Sequence, residues 1–252
     1  VHRFIIALAF VCSPKSAASN LNIAVAANFS QPAKALKLAY GKRGHDTIRL
    51  SIASTGKLYL QIVNGAPFDV FLSADAEHIQ KLEDKSLTVV GSRFTYAVGQ
   101  LVLLSKSSAI SHLSFSRVFK NTEKLTIAIP NPAIAPYGKA AVQVMKAIEP
   151  QSAFAGKTVY GDNVTQTRQF LSVGAVDFAF VSSSHTSGVA PQYRLAIPRH
   201  SYSPIRQQAV ILKRSKNSEV ARSFMAFLKS AEARKIIEGF GYLSSPQKSK
   251  KK

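Results

Sequence analysis

Three features of the 252-residue chain predict an α/β fold of two lobes. Short β-branched runs alternate with stretches of helical, amphipathic periodicity, the pattern of parallel βα units. That alternation occurs twice, and each time a strand runs directly into a polar loop that opens a helix. Two further extended runs, near 96–104 and 204–212, are placed to leave the first unit and to return to it after the second. The expected arrangement is a clamp. Lobe I takes residues 19–97 and 205–247, lobe II takes 98–204, and a ligand cleft lies between them.

The elements follow in order. Residues 22–26 (NIAVA) read as a buried strand. Ala27-Asn28-Phe29-Ser30-Gln31-Pro32 then opens a helix in which Asn or Ser can cap and Pro suits the first turn. Ala33, Leu36 and Tyr40 share one face of that helix. A strand at 48–52 meets Ala53-Ser54-Thr55-Gly56, then a helix with Leu58 and Ile62 inward, stopped by Gly65. A strand at 68–72 and a helix at 74–85 complete the first unit. A long extended stretch covers 93–105. The second unit has a strand at 125–129, the loop 130–138, and a helix presenting Ala141, Val144, Met145 and Ile148. Val159-Tyr160 leads through Gly161-Asp162-Asn163-Val164 into a helix with Phe170 and Leu171, and 176–181 is a further strand. After the extended run 205–212, one amphipathic helix is expected over 219–239, with Val220, Phe224, Phe227 and Leu228 inward.

The two ends of the chain read differently. Residues 1–18 carry a short positive start (His2, Arg3), the apolar run 4–11 (FIIALAFV) and the small residues Ser16-Ala17-Ala18. That is the pattern of a cleaved export signal, and the apolar run falls well short of the ~20 residues a membrane span needs. The sole cysteine, Cys12, lies within it, so no disulfide or multi-cysteine metal site is expected. Residues 248–252 form a basic tail. Against 13 acidic residues stand 33 Lys and Arg, a net charge of +20, of which Arg3, Lys15 and four tail lysines carry six. The remainder is spread over the body and favours anionic partners in general. Without Trp or a recognisable module, nucleic acid is not an expected partner.

In open α/β sheets, ligands lie beyond the carboxyl ends of the strands. Those ends are the four polar loops, two in each lobe, and each opens a helix whose first N–H groups are unpaired and whose dipole favours negative charge. A cleft lined by four such ends is an anion site.

The loops also carry specific motifs: Ala26-Ala27-Asn28-Phe29, Ala53-Ser54-Thr55-Gly56-Lys57-Leu58, and Gly65-Ala66-Pro67-Phe68-Asp69-Val70-Phe71-Leu72-Ser73-Ala74-Asp75. Ala135-Pro136-Tyr137-Gly138 and Asp162-Asn163-Val164 follow in order downstream. With these motifs, residues 21–245 resemble the molybdate-binding components of molybdate ABC transporters, a family of extracytoplasmic solute-binding proteins. The resemblance implies a periplasmic-binding-protein-like fold, and a monomer that binds molybdate or tungstate and passes it to a membrane permease. It implies an oxyanion held by neutral side chains and backbone N–H groups, with no cofactor and no metal-cation ligands. Carried over, Asn28 matches the Ser or Asn ligand after the first strand. Thr55 matches the second Ser of a Ser-Ser-Gly loop, keeping the hydroxyl and adding a methyl. Tyr137 matches a Tyr or Ala position, Val164 the donor of a backbone N–H, and Ser182 a position occupied by Tyr or a small residue. Around Ser182 the sequence departs most from the family.

Molybdate carries no proton at neutral pH, so it suits a shell of donors only. Phosphate keeps a proton and needs an acceptor, for which Asp162 is the nearest carboxylate, unless Asp162 only caps the next helix. Asp69 and Asp75 read as structural acceptors. Thr55-Gly56-Lys57-Leu58 lacks the rest of a phosphate-binding P-loop. No enzyme is expected: catalytic signatures are absent, and Ser182, Ser184 and His185, read as extended chain, point alternately to opposite sides. The alternatives are a binding protein for sulfate or phosphate, and a protein that binds polyanions or membrane surfaces through its charge.

Overall fold

The computed structural model describes residues 20–43, 47–106, 109–118, 125–147 and 156–244. The export signal with Cys12, the basic tail and Ile148 lie outside the described residues. The first unit comprises β1 (Asn20–Ala26), a 3-10 turn at Ala27–Phe29, α1 (Ser30–Gly41), β2 (Thr47–Ala53), α2 (Thr55–Val63), β3 (Val70–Ser73), α3 (Glu77–Asp84) and β4 (Phe94–Gly99). The second comprises β5 (Leu101–Ser105), the short α4 (Phe115–Val118), β6 (Ile127–Pro130), α5 (Pro136–Lys146), β7 (Thr158–Gly161), α6 (Val164–Ser172), β8 (Phe178–Ser182) and β9 (Arg194–Ala196). The chain ends with β10 (Ile205–Ile211), α7 (Ser218–Leu228) and α8 (Ala231–Gly239).

These strands build two five-stranded sheets, ordered β2-β1-β3-β10-β4 and β7-β6-β8-β5-β9. In the first, β1 pairs parallel with β2 and β3, and β10 runs antiparallel between β3 and β4. In the second, β6 takes the place of β1, with β7 and β8 parallel to it and β5 antiparallel between β8 and β9. Each sheet is covered on both faces, which is why its central strands are apolar at successive positions. Ile23, Val25, Leu72 and Ala209 pack against Leu36, Tyr40, Phe224 and Leu228 of α1 and α7. Their neighbours Ala24, Phe71 and Val210 face Leu58, Ile62, Ile79 and Leu82 of α2 and α3. The second sheet repeats the device, with Ile127, Ile129 and Phe180 against α5, and Ala128, Ala179 and Val181 against Leu171 of α6.

Four expectations are corrected. The extended stretch 93–105 is two strands in different sheets, broken at Gln100, so the first crossing is a single step. The whole of β10 belongs to the first sheet, which places the return crossing before it, at 197–204. There Ile197 N–H donates to the Leu101 carbonyl at 3.1 Å and Leu101 N–H to the Tyr202 hydroxyl at 3.0 Å, tying the two crossings together. The helix expected from residue 74 starts at Glu77, because Asp75 accepts the His78 N–H at 3.0 Å and holds the preceding turn. The single helix over 219–239 is α7 and α8, divided where the Ser230 hydroxyl accepts the Ala233 N–H and caps a new start. Among the described residues no helix is long and apolar enough to cross a membrane.

Candidate functional site

The carboxyl ends of β1, β2, β6 and β7 lead into the four helix openings, and three contacts draw those of one sheet against those of the other. Gly56 N–H, in the first turn of α2, donates to the Ile134 carbonyl at 2.9 Å. Lys57 pairs with Asp162 at 2.5 Å, and Lys139 with Glu77 at 2.7 Å. Hydrogen bonds from Lys139 and then Lys81 pull the Glu77 carboxyl down to about 2. Beside the Lys57 pair, a cavity of about 280 Å³ is lined by Ala27 and Ile52 from one side and Asp162, Asn163, Thr165 and Gln166 from the other.

The groups left over by this packing are donors. Thr55 is buried, and its hydroxyl accepts the Ala74 N–H at 3.2 Å, which leaves its hydrogen to donate. At α6 the Asn163 side chain accepts from Thr165 and Gln166 N–H at 2.9 and 3.1 Å, and the Asn163 carbonyl takes Thr167 N–H. The Val164 N–H is the first-turn amide that these caps do not take. Among the described residues, two buried hydroxyls, Ser54 Oγ and Tyr137 OH, have no hydrogen-bond partner. The Tyr242 hydroxyl lies beside Tyr137, but its hydrogen goes to the Asn28 carbonyl at 2.6 Å and it accepts from the Asn28 amide at 3.0 Å. An unpaired buried hydroxyl costs about 1–3 kcal/mol, and here two occur on facing loops.

Asn28 sits differently from the expectation. No side chain caps α1, and both Asn28 amide hydrogens are engaged, one by the Gln207 side-chain oxygen at 2.8 Å and one by Tyr242. What its loop offers an anion is the backbone N–H at the start of the 3-10 turn. Ser182 is fully buried and bonds to Ser184 Oγ at 2.9 Å and to His185 Nδ1 at 2.8 Å. This corrects the reading of 182–185 as extended chain. Residues 183–185 form a 3-10 turn, in which positions three apart eclipse, so Ser182 and His185 share a side. The cluster is buried. His185 Nε2 faces the Thr165 hydroxyl at 3.2 Å, not a carboxylate, and Ser184 Oγ donates to the Asn28 carbonyl at 2.6 Å. Neither serine is thereby set up as an activated nucleophile.

Burial, and then the nearby Arg168 guanidinium, push His185 down to about 4. Its neutral form therefore contributes stability that is complete above the unfolded-state value of about 6.5 and is lost as the pH falls through about 4, about 3 kcal/mol in all. His185→Asn should flatten that part of a stability curve measured by urea denaturation from pH 7 to pH 4. An unchanged slope would show that the histidine is not buried in its neutral form.

Asp162 does not cap α6, which Asn163 does; one of its carboxylate oxygens pairs with Lys57. Asp69 accepts from Asn22 N–H and Ser215 Oγ, each at 2.7 Å, and Asp75 holds His78, so both carboxylates serve the fold. Among the described residues no group of three or more His, Cys, Asp or Glu is placed to hold a metal ion. Ser54, Gln207, His185 and Tyr242 escaped the sequence reading as site residues. Two of them had a signal: Ser54 its place beside Thr55 in the second loop, and His185 its place near Ser182 in the segment read as extended chain.

A family model for bacterial extracellular solute-binding proteins matches residues 21–243. The chain is 39% identical over 248 residues to the molybdate-binding protein ModA of Azotobacter vinelandii, 95% of this chain and 96% of that one. It is 36% identical over 229 residues to the molybdate-binding protein ModA of Rhodobacter capsulatus, covering 91% and 90%. The solved structure of the Azotobacter vinelandii periplasmic molybdate-binding protein matches with a TM-score of 0.82 at 34% identity, covering 89% of this chain and 99% of that one.

Proposed function

The chain belongs to the bacterial extracellular solute-binding proteins, within their molybdate-binding branch, and on that premise we propose that it captures molybdate or tungstate outside the cytoplasmic membrane and delivers it to the permease of an ABC transporter. Binding closes one lobe, 19–97 with 205–247, on the other, 98–204, and the protein carries out no chemistry on its ligand. The ion is held by the Thr55 and Tyr137 hydroxyls, the Val164 N–H, the Asn28 loop and Ser182. The observation that supports this most directly is the buried Tyr137 hydroxyl, left without a hydrogen-bond partner at the start of α5. A proton-free dianion would satisfy such groups without asking the protein for an acceptor.

A thermal-shift series with molybdate, tungstate, sulfate, phosphate and chloride at matched ionic strength tests the reading. Molybdate at a hundred times its Kd adds about 2.7 kcal/mol, a rise of about 5–10 °C for a chain of this size. A shift with sulfate or phosphate alone would change the ligand and keep the fold. Equal responses to every anion, falling steeply with salt, would replace the cleft by a general polyanion surface.

A further inference from the structure

The hydroxyl of Ser182 can face the cleft as a donor or as an acceptor, and the imidazole behind it selects which. The Asn28 carbonyl can only accept, so the hydrogens of Ser184, at 2.6 Å, and Tyr242, at 2.6 Å, are both committed to it. The Ser182 hydrogen is the one in this buried group left undecided. It can go to His185 Nδ1 at 2.8 Å, to Ser184 Oγ at 2.9 Å, or into the cleft. On the other side of the ring, Nε2 meets the Thr165 hydroxyl at 3.2 Å, and Thr165 lines the cavity between the two sheets.

Two arrangements place a proton in both contacts of the neutral ring. With the imidazole proton on Nε2, the ring donates to Thr165 and Ser182 must donate to Nδ1, so Ser182 shows the cleft only lone pairs. With the proton on Nδ1, the ring donates to Ser182, Thr165 donates to Nε2, and the Ser182 hydrogen is released from the ring, to rest on Ser184 Oγ at 2.9 Å or to turn to a ligand. The protons are equal in number in both, one on the ring and one on each hydroxyl; only their directions differ. We infer that His185 is the positioning residue that sets the polarity of Ser182, and that a proton-free dianion is bound with the His185 proton on Nδ1. The inference rests on the functional reading above, in which Ser182 faces the anion.

The surroundings keep this a choice between two neutral forms. The charged group against His185 is Arg168 of α6, whose guanidinium donates to the His185 carbonyl, with Arg194 beyond it. The other groups against the ring are the neutral side chains of Thr165 on α6, Ser182 at the end of β8 and Ser184 in the same turn, with the Tyr242 hydroxyl behind Ser184. Ring protonation would place a second cation beside Arg168, whereas tautomer exchange adds no charge.

The test reads the ¹⁵N shifts of the His185 ring at pH 7, with and without molybdate, its signals identified by their loss in His185→Asn. Nδ1 protonated in the molybdate complex is the expected result. His185→Asn, whose amide N–H can replace Nδ1–H, should bind molybdate within about threefold of the unchanged protein, whereas His185→Leu should weaken it about tenfold or more. A molybdate complex with the proton on Nε2, or a His185→Leu variant that binds as tightly as the parent, overturns the inference and leaves the functional reading intact. Absence of any molybdate-induced thermal shift in the parent overturns both.

Discussion

Tyr137→Phe should raise the stability of the anion-free protein while weakening molybdate binding by about 10- to 150-fold, the value of one hydrogen bond to a charged group. The two signs oppose each other for one reason. The Tyr137 ring is packed at the start of α5 and is 1% exposed, so its hydroxyl is desolvated, and it has no partner in the folded protein. Burial holds its proton firmly, with a pKa pushed well above the usual phenol value, so it remains a neutral donor at any working pH. Removing the oxygen abolishes a desolvation penalty of about 1–3 kcal/mol and gives up only a marginal contact with the Tyr242 hydroxyl, which is already engaged by Asn28. With an oxyanion in the cleft, the same oxygen supplies a donor that Phe lacks. Urea denaturation of the apo protein and calorimetric titration with molybdate measure the two effects separately. A stability loss would mean that the hydroxyl is paired after all, and an unchanged Kd would remove Tyr137 from the site.

Most of the fold was legible because local periodicity reports it. Leu36 and Tyr40 on one helical face, and the unbroken apolar run of β1, each need only a few neighbouring residues to be read, and both are buried as expected. The division of α7 from α8 was also written locally, in Ser230 followed by Ala231-Glu232, but continuous apolar spacing across it masked the cap. The interior of the site is another matter. Tyr242 reaches Asn28 across 214 positions of chain, and Gln207 does so across 179. No spacing rule connects them, since the contact exists only once β10 has returned to the first sheet. The Ser182–His185 pairing failed for a subtler reason, the turn from strand to 3-10 helix at residue 183, which changes a period of two into a period of three. Asn28 shows the same limit. Its residue type and position fit a ligand, whereas the destination of its amide hydrogens depends on two distant side chains.

The two glycines around Tyr137 should separate folding from binding. A Cβ on Gly138 would lie 2.0 Å from the Pro130 carbonyl oxygen, 2.8 Å from its carbon and 2.9 Å from the Pro132 nitrogen. All three are backbone atoms at the end of β6, where Ala135 N–H is already bonded to the Asn131 carbonyl at 2.9 Å. They cannot rotate away, so α5 must lift from the sheet, and the loss should exceed the ~1–3 kcal/mol of ordinary overpacking. Against a total of about 5–15 kcal/mol, that removes much of the margin of the folded state. At Gly99, the last residue of β4, a Cβ would lie 2.1 Å from the Tyr137 hydroxyl oxygen and 2.9 Å from both Tyr137 Cζ and Gln207 Nε2. Here the obstacles are side chains, so Gly99→Ala should stay folded but displace the hydroxyl that the anion needs. Combining it with Tyr137→Phe removes the worst contact and leaves those to Cζ and to Gln207 Nε2. The double variant should therefore recover part of the stability lost by Gly99→Ala, and no binding. Thermal melts and molybdate titrations of the four proteins decide it. A Gly138→Ala variant that melts with the parent would mean that α5 is not seated on β6 as described. Strict additivity of Gly99→Ala and Tyr137→Phe would mean that the Tyr137 hydroxyl does not fill the space beneath Gly99.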